Sequence, residues 1–170
     1  MQTGTNTPSR LIRGPLTLAS RCPPTFTRVR TSRLTVPQAA GIRFENKVHK
    51  ALTVLAKTLG AKSERNPWFT FTDSVGTATC SPDALLFLDA TVLVVEVKVT
   101  WTPTAATKMS GLYLPVVNAA LRPVVLRSLI ICKTLLPETP RPIDFIGEGT
   151  LMSAREAPVY QWLGQGPLRW

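Results

Sequence analysis

Ser81-Pro-Asp-Ala-Leu-Leu-Phe-Leu-Asp-Ala-Thr-Val-Leu-Val-Val-Glu-Val-Lys-Val-Thr100 holds two apolar runs, 84–88 and 92–95, on either side of Asp89-Ala90. Each run has strand length and is rich in Val, Leu and Phe, which predicts a hairpin of two buried strands. Apolar residues occupy both parities, so the sheet is expected to be covered on both faces. Three charged residues sit in this apolar frame: Asp83, Glu96 and Lys98. Glu96 and Lys98 are two apart on one strand and share a face. A two-residue loop at Asp89-Ala90 pairs Leu88 with Thr91, and counting outward sets Asp83 opposite Glu96. Directly opposed residues have Cβ atoms ~5 Å apart.

Two facing carboxylates repel. At an effective dielectric near 20, unit charges ~4 Å apart cost roughly 4 kcal/mol. A divalent cation would offset that repulsion, and Mg²⁺ typically takes one or two protein carboxylates with phosphate oxygens and water. The competing structural reading has Asp83 capping a turn after Pro82, with Glu96 and Lys98 as an edge-strand ion pair.

Pro82-Asp83, twelve intervening residues and then Glu96-Val97-Lys98 resemble the signature of the PD-(D/E)XK nuclease superfamily. The match includes the proline, both acids, the apolar residue between the second acid and the lysine, and the lysine. The resemblance covers about residues 41 to 134. It points to RecB-like or Holliday-junction-resolvase-like subgroups, and a phage-encoded source fits it. It implies a restriction-endonuclease-like core and catalysis by Asp83, Glu96 and Lys98. Asp83 and Glu96 would ligate Mg²⁺, for which Mn²⁺ can substitute, with the Val97 backbone carbonyl as a further ligand. It also implies an acid from the helix ahead of the hairpin, which Glu45 matches by position, and it offers His49 as a second candidate there.

The bare residues support such a helix. Over 39–59, Phe44, Val48, Ala51, Leu52, Leu55 and Leu59 follow the 3.6 period, and Gly60 is a fitting stop. Glu45 and His49 lie four apart, beside the apolar stripe; without the resemblance they read as an exposed pair. Residues 62–67 read as a loop. Trp68-Phe-Thr-Phe-Thr72 alternates as a strand, expected to pair with the one containing Asp83. A second helix is expected near 104–120, with Pro115 kinking it or marking its start. Tyr113 and Lys108 lie on it close to the site. RecB-like nucleases carry a Gln-x-x-x-Tyr pattern here, and this chain has Met109 four before Tyr113. Val124–Cys132 reads as a further strand, Ile143–Ile146 as an edge strand, and Tyr160, Trp162 and Trp170 as a packing or partner segment.

The chain has 170 residues and a net charge of +10, which by length is one domain and by charge implies a polyanionic partner, most often nucleic acid. No run approaches ~18 apolar residues, so no membrane span is expected. Three cysteines without CxxC pairing and a single histidine make no zinc site. Reduced thiols suit an intracellular protein, cytoplasmic or in a host cytoplasm if phage-encoded. Residues 1–44 carry seven arginines and no acid. Residues 1–38 therefore read as a basic, disordered arm whose Arg10, Arg13, Arg21, Arg28, Arg30 and Arg33 hold phosphates. A core over 39–136 and a Pro/Gly-rich extension over 137–170 follow.

The expectation is an α/β fold: a small mixed central sheet flanked by helices in the order α-β-β-β-α-β. The expected function is Mg²⁺-dependent hydrolysis of DNA phosphodiester bonds, and a homodimer is allowed. The alternatives are a non-catalytic nucleic-acid-binding protein, or a component of a larger particle on the same fold.

Overall fold

The computed structural model describes residues 10–24, 34–145 and 157–169. Helix α1, Val36–Thr58, opens the larger layer. Its first turn is fixed by a capping box. The Thr35 hydroxyl accepts from Gln38 N–H, and Gln38 Oε1 accepts from Thr35 N–H. That signal lies in Thr35-Val-Pro-Gln38 and starts the helix three residues before the expected 39.

The central sheet contains β2 (Lys62–Arg65), β5 (Ala84–Leu88), β6 (Thr91–Thr100), β7 (Val125–Thr134) and β8 (Val159–Gln161), adjacent in that order. The β2–β5 and β5–β6 pairs are antiparallel; β6–β7 and β7–β8 are parallel. The sheet is therefore mixed, and helices cover it, as expected for this α/β class. Leu88 pairs with Thr91 and Ala84 with Val95, the expected hairpin register. Asp89 adopts φ +46° at the turn, a left-handed conformation that aspartate tolerates better than most residues.

The two faces bury separate clusters. Phe44, Val48, Leu52 and Leu55 of α1 pack on Leu86, Leu93, Val95, Val97, Leu129 and Ile131. The opposite face, with Leu85, Val92, Val94 and Ile130, meets α2 (Pro103–Lys108), a π segment (Met109–Tyr113) and α3 (Leu114–Leu121). Pro115 lacks an N–H and its ring crowds the preceding turn. The π segment just ahead of it absorbs that conflict while the helix continues.

A second antiparallel sheet, β1 (Leu18–Arg21), β3 (Phe69–Asp73) and β4 (Gly76–Cys80), lies beside this second cluster with β3 in the middle. Three expectations are corrected here. β3 pairs with β1 and β4, not with the strand after Asp83, whose outer neighbour is β2. The expected loop at 62–67 contains that strand β2. The expected arm 1–38 contributes a strand, with Ile12, Leu16 and Ala19 against the core. At the far end, β8 joins the sheet, and Tyr160, Trp162 and Leu168 are buried, so the packed core extends beyond 39–136 on both sides. The expected edge strand 143–146 is reduced to one bridge, Ile143 to Tyr160; Ile146 and Trp170 lie outside the described residues. Among the described residues no helix is long and apolar enough to cross a membrane.

One polar contact ties the N-terminal segment down. The Asp73 side chain is fully buried. It accepts from the Arg10 guanidinium through both oxygens, from Arg13 N–H at 2.8 Å and from Val75 N–H at 2.9 Å. Arg10 also donates to Gly76 O and lies over the Phe71 ring. The Arg10 guanidinium holds the Asp73 carboxyl far below the usual carboxylate range. A depressed folded-state pKa contributes stability above the unfolded value, lost as pH falls. Asp73→Asn should therefore melt several degrees below wild type at pH 7, with the gap closing as the pH drops below about 4. Equal melting at pH 7 would show that the contact does not hold β1.

Candidate active site

The hairpin brings Asp83 and Glu96 together. Asp83 lies one residue before β5 and Glu96 lies inside β6, each one position beyond the last pair of the ladder, Ala84–Val95, and close enough for their charges to interact. Val97 N–H donates to Asp83 Oδ2 at 2.6 Å, which orients the carboxylate across the strand pair. Glu96 is 1% exposed, in the middle of the sheet. Its Oε1 accepts from Lys98 Nζ, while its Oε2 is buried with no aligned hydrogen-bond partner, the Tyr113 hydroxyl lying beside Glu96. A buried carboxylate oxygen without a partner is costly and marks a position where a cation or a donor is wanted.

Electrostatics follow from this packing. Burial, and then the charge of Glu96, push the Asp83 carboxyl up to about 7, against Lys98 and the Val97 hydrogen bond; Glu45 adds a smaller push. Burial pulls the Lys98 ammonium down, but Glu96 and Asp83 outweigh it and leave its pKa above the ordinary value. Lys98 is therefore a cation at neutral pH and not a base.

The remaining expected residues divide around this pair. Tyr113 is buried, and its phenol is held well above its ordinary range by burial first and then by the negative charges of Glu96 and Asp83. Lys108 Nζ lies 4.8 Å from the Tyr113 ring centroid. On the α1 side, Glu45 Oε1 is 3.4 Å from His49 Nε2 and 3.4 Å from Arg65 Nη2. The His49 contact has ion-pair distance without hydrogen-bond alignment, and Nε2 is otherwise unpartnered. Contact with His49, opposed by burial and helped by Arg65, holds the Glu45 carboxyl below its ordinary value. Arg65, which also donates to Asn46 Oδ1 at 2.6 Å, escaped the sequence reading because Lys62-Ser-Glu-Arg65 carries no apolar periodicity.

The arginines of the N-terminal segment are placed differently from the expectation. Arg10 is corrected from phosphate tether to partner of Asp73. Arg21 is paired through Nη1 with both oxygens of Glu64 at 2.8 Å and lies over the Phe69 and Phe87 rings. Arg13 has an exposed side chain. Arg28, Arg30 and Arg33 lie outside the described residues.

Among the described residues no three His, Cys, Asp or Glu side chains converge as a metal cage. The donor set is two opposed carboxylates with an orphaned oxygen, open to further ligands. That suits a hard cation such as Mg²⁺, which keeps water and phosphate oxygens, better than a closed zinc site.

No family model and no curated protein matches this sequence. Among solved structures, the chain is similar to one described as the structure of a Type III CRISPR defence DNA nuclease activated by cyclic oligoadenylate. The TM-score is 0.46 at 16% identity, over 76% of this chain and 20% of that one. This chain thus spans about a fifth of that protein's length.

Proposed function

We propose that this protein is a Mg²⁺-dependent nuclease that hydrolyses DNA phosphodiester bonds, of PD-(D/E)XK type. The observation that carries the reading is Asp83 beside a buried Glu96 whose Oε2 has no aligned hydrogen-bond partner, with Lys98 two residues further on the same strand. Asp83 and Glu96 would hold the ion, with the Val97 carbonyl as a further donor, while Glu45 stays engaged with His49 and Arg65; Mn²⁺ would substitute. When bound, the ion polarises the scissile phosphate and neutralises charge developing on its oxygens.

The chain's own residues supply the rest. Lys98, a cation held by its carboxylate neighbours, orients the attacking water and stabilises the added negative charge at phosphorus. Its flexible stem lets a point charge follow that change. The Val97 N–H keeps Asp83 aimed at the space it shares with Glu96. Tyr113 closes the apolar side of the site and stays protonated, so it can donate but not accept the proton of water. Lys108 lies over the Tyr113 ring and His49 beside Glu45.

One observation favours a second reading, in which the protein binds nucleic acid without cleaving it. Lys98 contacts Glu96 directly, and a structural ion pair would do the same. Incubation of the purified chain with supercoiled plasmid separates the two. Nicking or linearisation is expected with Mg²⁺ or Mn²⁺, with none after EDTA. Intact plasmid, single-stranded and branched DNA under both ions would remove the enzyme and leave the binding protein.

A further inference from the structure

The arginines expected to hold phosphate are only partly available, since Arg10 and Arg21 are engaged with Asp73 and Glu64. The structure gathers other cations on the α1 face of the sheet. Arg43 and Lys47 are four apart on α1 and share one face. Lys133 lies on β7, next to Cys132, which pairs with Lys98. These three side chains line a cleft of about 210 Å³ whose apolar wall includes Phe44, Val99 and Leu163. All three cations are exposed. No acidic side chain lines the cleft, and among the described residues none of the three is in an ion pair.

Three unpaired like charges around one concavity repel one another, and an anion relieves them. The cleft contains Val99, the residue directly after Lys98, so it borders β6 on the α1 face of the sheet, across the strand from the face that Glu96 and Lys98 share. Its volume suits a phosphate group and not a stacked base, and its lining includes no side-chain acid or amide to read base edges. We infer that this cleft binds the phosphodiester backbone of the DNA substrate without reading its sequence, an inference that rests on the nuclease reading for the identity of its ligand. Arg43 offers a planar fork for two phosphate oxygens, and Lys47 and Lys133 act as point charges on the same or the adjacent phosphate.

The test uses the full chain in EDTA, where no cleavage competes, and a short labelled DNA duplex of random sequence. Affinity is followed by fluorescence anisotropy across a salt series. Each duplex phosphate contact contributes about 0.9 to the slope of log K against log salt. Replacing Arg43, Lys47 and Lys133 together by Gln should lower the slope by roughly 2 to 3 and weaken binding at least about tenfold near 0.1 M salt. Lys133→Gln alone should lower the slope by about 1, which keeps the test usable if the triple variant melts early. Lys57→Gln, on the last turn of the same helix, should change neither quantity.

In the plasmid assay Lys133→Gln should raise the half-saturating DNA concentration and leave turnover at saturation unchanged. A wild-type slope retained by the triple variant overturns the cleft and leaves the nuclease reading intact. A slope that falls as expected in a protein that cleaves nothing supports the cleft and removes the catalytic reading. Binding to vesicles of anionic phospholipid without binding to duplex overturns the cleft's assignment to DNA.

Discussion

Asp83→Asn and Glu96→Gln should each reduce Mg²⁺-dependent plasmid cleavage by roughly 10²–10³-fold or more, with duplex affinity unchanged or higher. Both effects have one cause. Each substitution removes a negative charge that would hold the cation, and the same charge repels the phosphates of the substrate. In the Asp83→Asn variant the new amide oxygen would still accept the Val97 N–H hydrogen bond, so the hairpin keeps its register and the loss is chemical. Lys98→Gln should also lose rate, but it should keep the dependence of folding stability on Mg²⁺, because it leaves both carboxylates in place. Cleavage kinetics and anisotropy on the same preparations check this. Turnover near wild type in either acid variant, with contaminating nuclease excluded, removes the site.

The second large effect is on stability. Burial and the Glu96 charge push Asp83 up to about 7, above its unfolded value of ~3.9. A raised folded-state pKa means that the folded protein binds the proton more tightly. Without metal, the contribution of this group to stability is greatest below pH ~4 and declines through about pH 7, by on the order of 4 kcal/mol. Asp83→Asn has no carboxylate to ionise and should melt above wild type at pH 8 in EDTA. Mg²⁺ binds only the folded, deprotonated pair, so it should raise the wild-type melting temperature at pH 8. At a hundredfold excess over Kd the gain is about 2.7 kcal/mol. The variant should show no such gain. The measurement is four melting curves, two proteins with and without the ion. Wild type insensitive to both Mg²⁺ and Mn²⁺ would show that the pair is not a metal site and would promote the binding-protein reading.

The hairpin and its opposed acids could be read directly from the chain because local geometry decides them. A two-residue loop and alternating strand faces leave one register, and Asp83 meets Glu96 in it. Helix α1 was equally legible from Phe44, Val48, Leu52 and Leu55, which recur at helical spacing and pack on one sheet face. The elements that escaped are those made by their partners. Leu18–Arg21 is four residues long and has no periodicity of its own; it becomes a strand by pairing with β3. Lys62–Arg65 is almost wholly polar, as suits the outer strand of a sheet that must not recruit another chain. Val159–Gln161 is three residues, too short for any pattern, and is set by parallel pairing to β7. The same limit hid the cleft, because Arg43, Lys47 and Lys133 are brought together by the packing of α1 on the sheet and by no motif.

The order of rungs in the β5–β6 hairpin has a kinetic consequence. From the turn at Asp89, the chain can zip through Leu88–Thr91, Phe87–Val92, Leu86–Leu93, Leu85–Val94 and Ala84–Val95 before Asp83 reaches Glu96. These are the most local contacts of the sheet, whereas the parallel partner β7 must wait for the crossover through α2 and α3 to close. Local pairings form early because they lose the least chain entropy. The pairing is thus set early, but the repulsion reaches full strength only when the crossover packs over the sheet and buries Glu96, which is 1% exposed, on the native side of the folding barrier. A clash placed there speeds escape from the native state and leaves the rate of reaching it nearly untouched. The acids of this site act on the lifetime of the fold rather than on its formation, and a bound cation would act as a brake on unfolding.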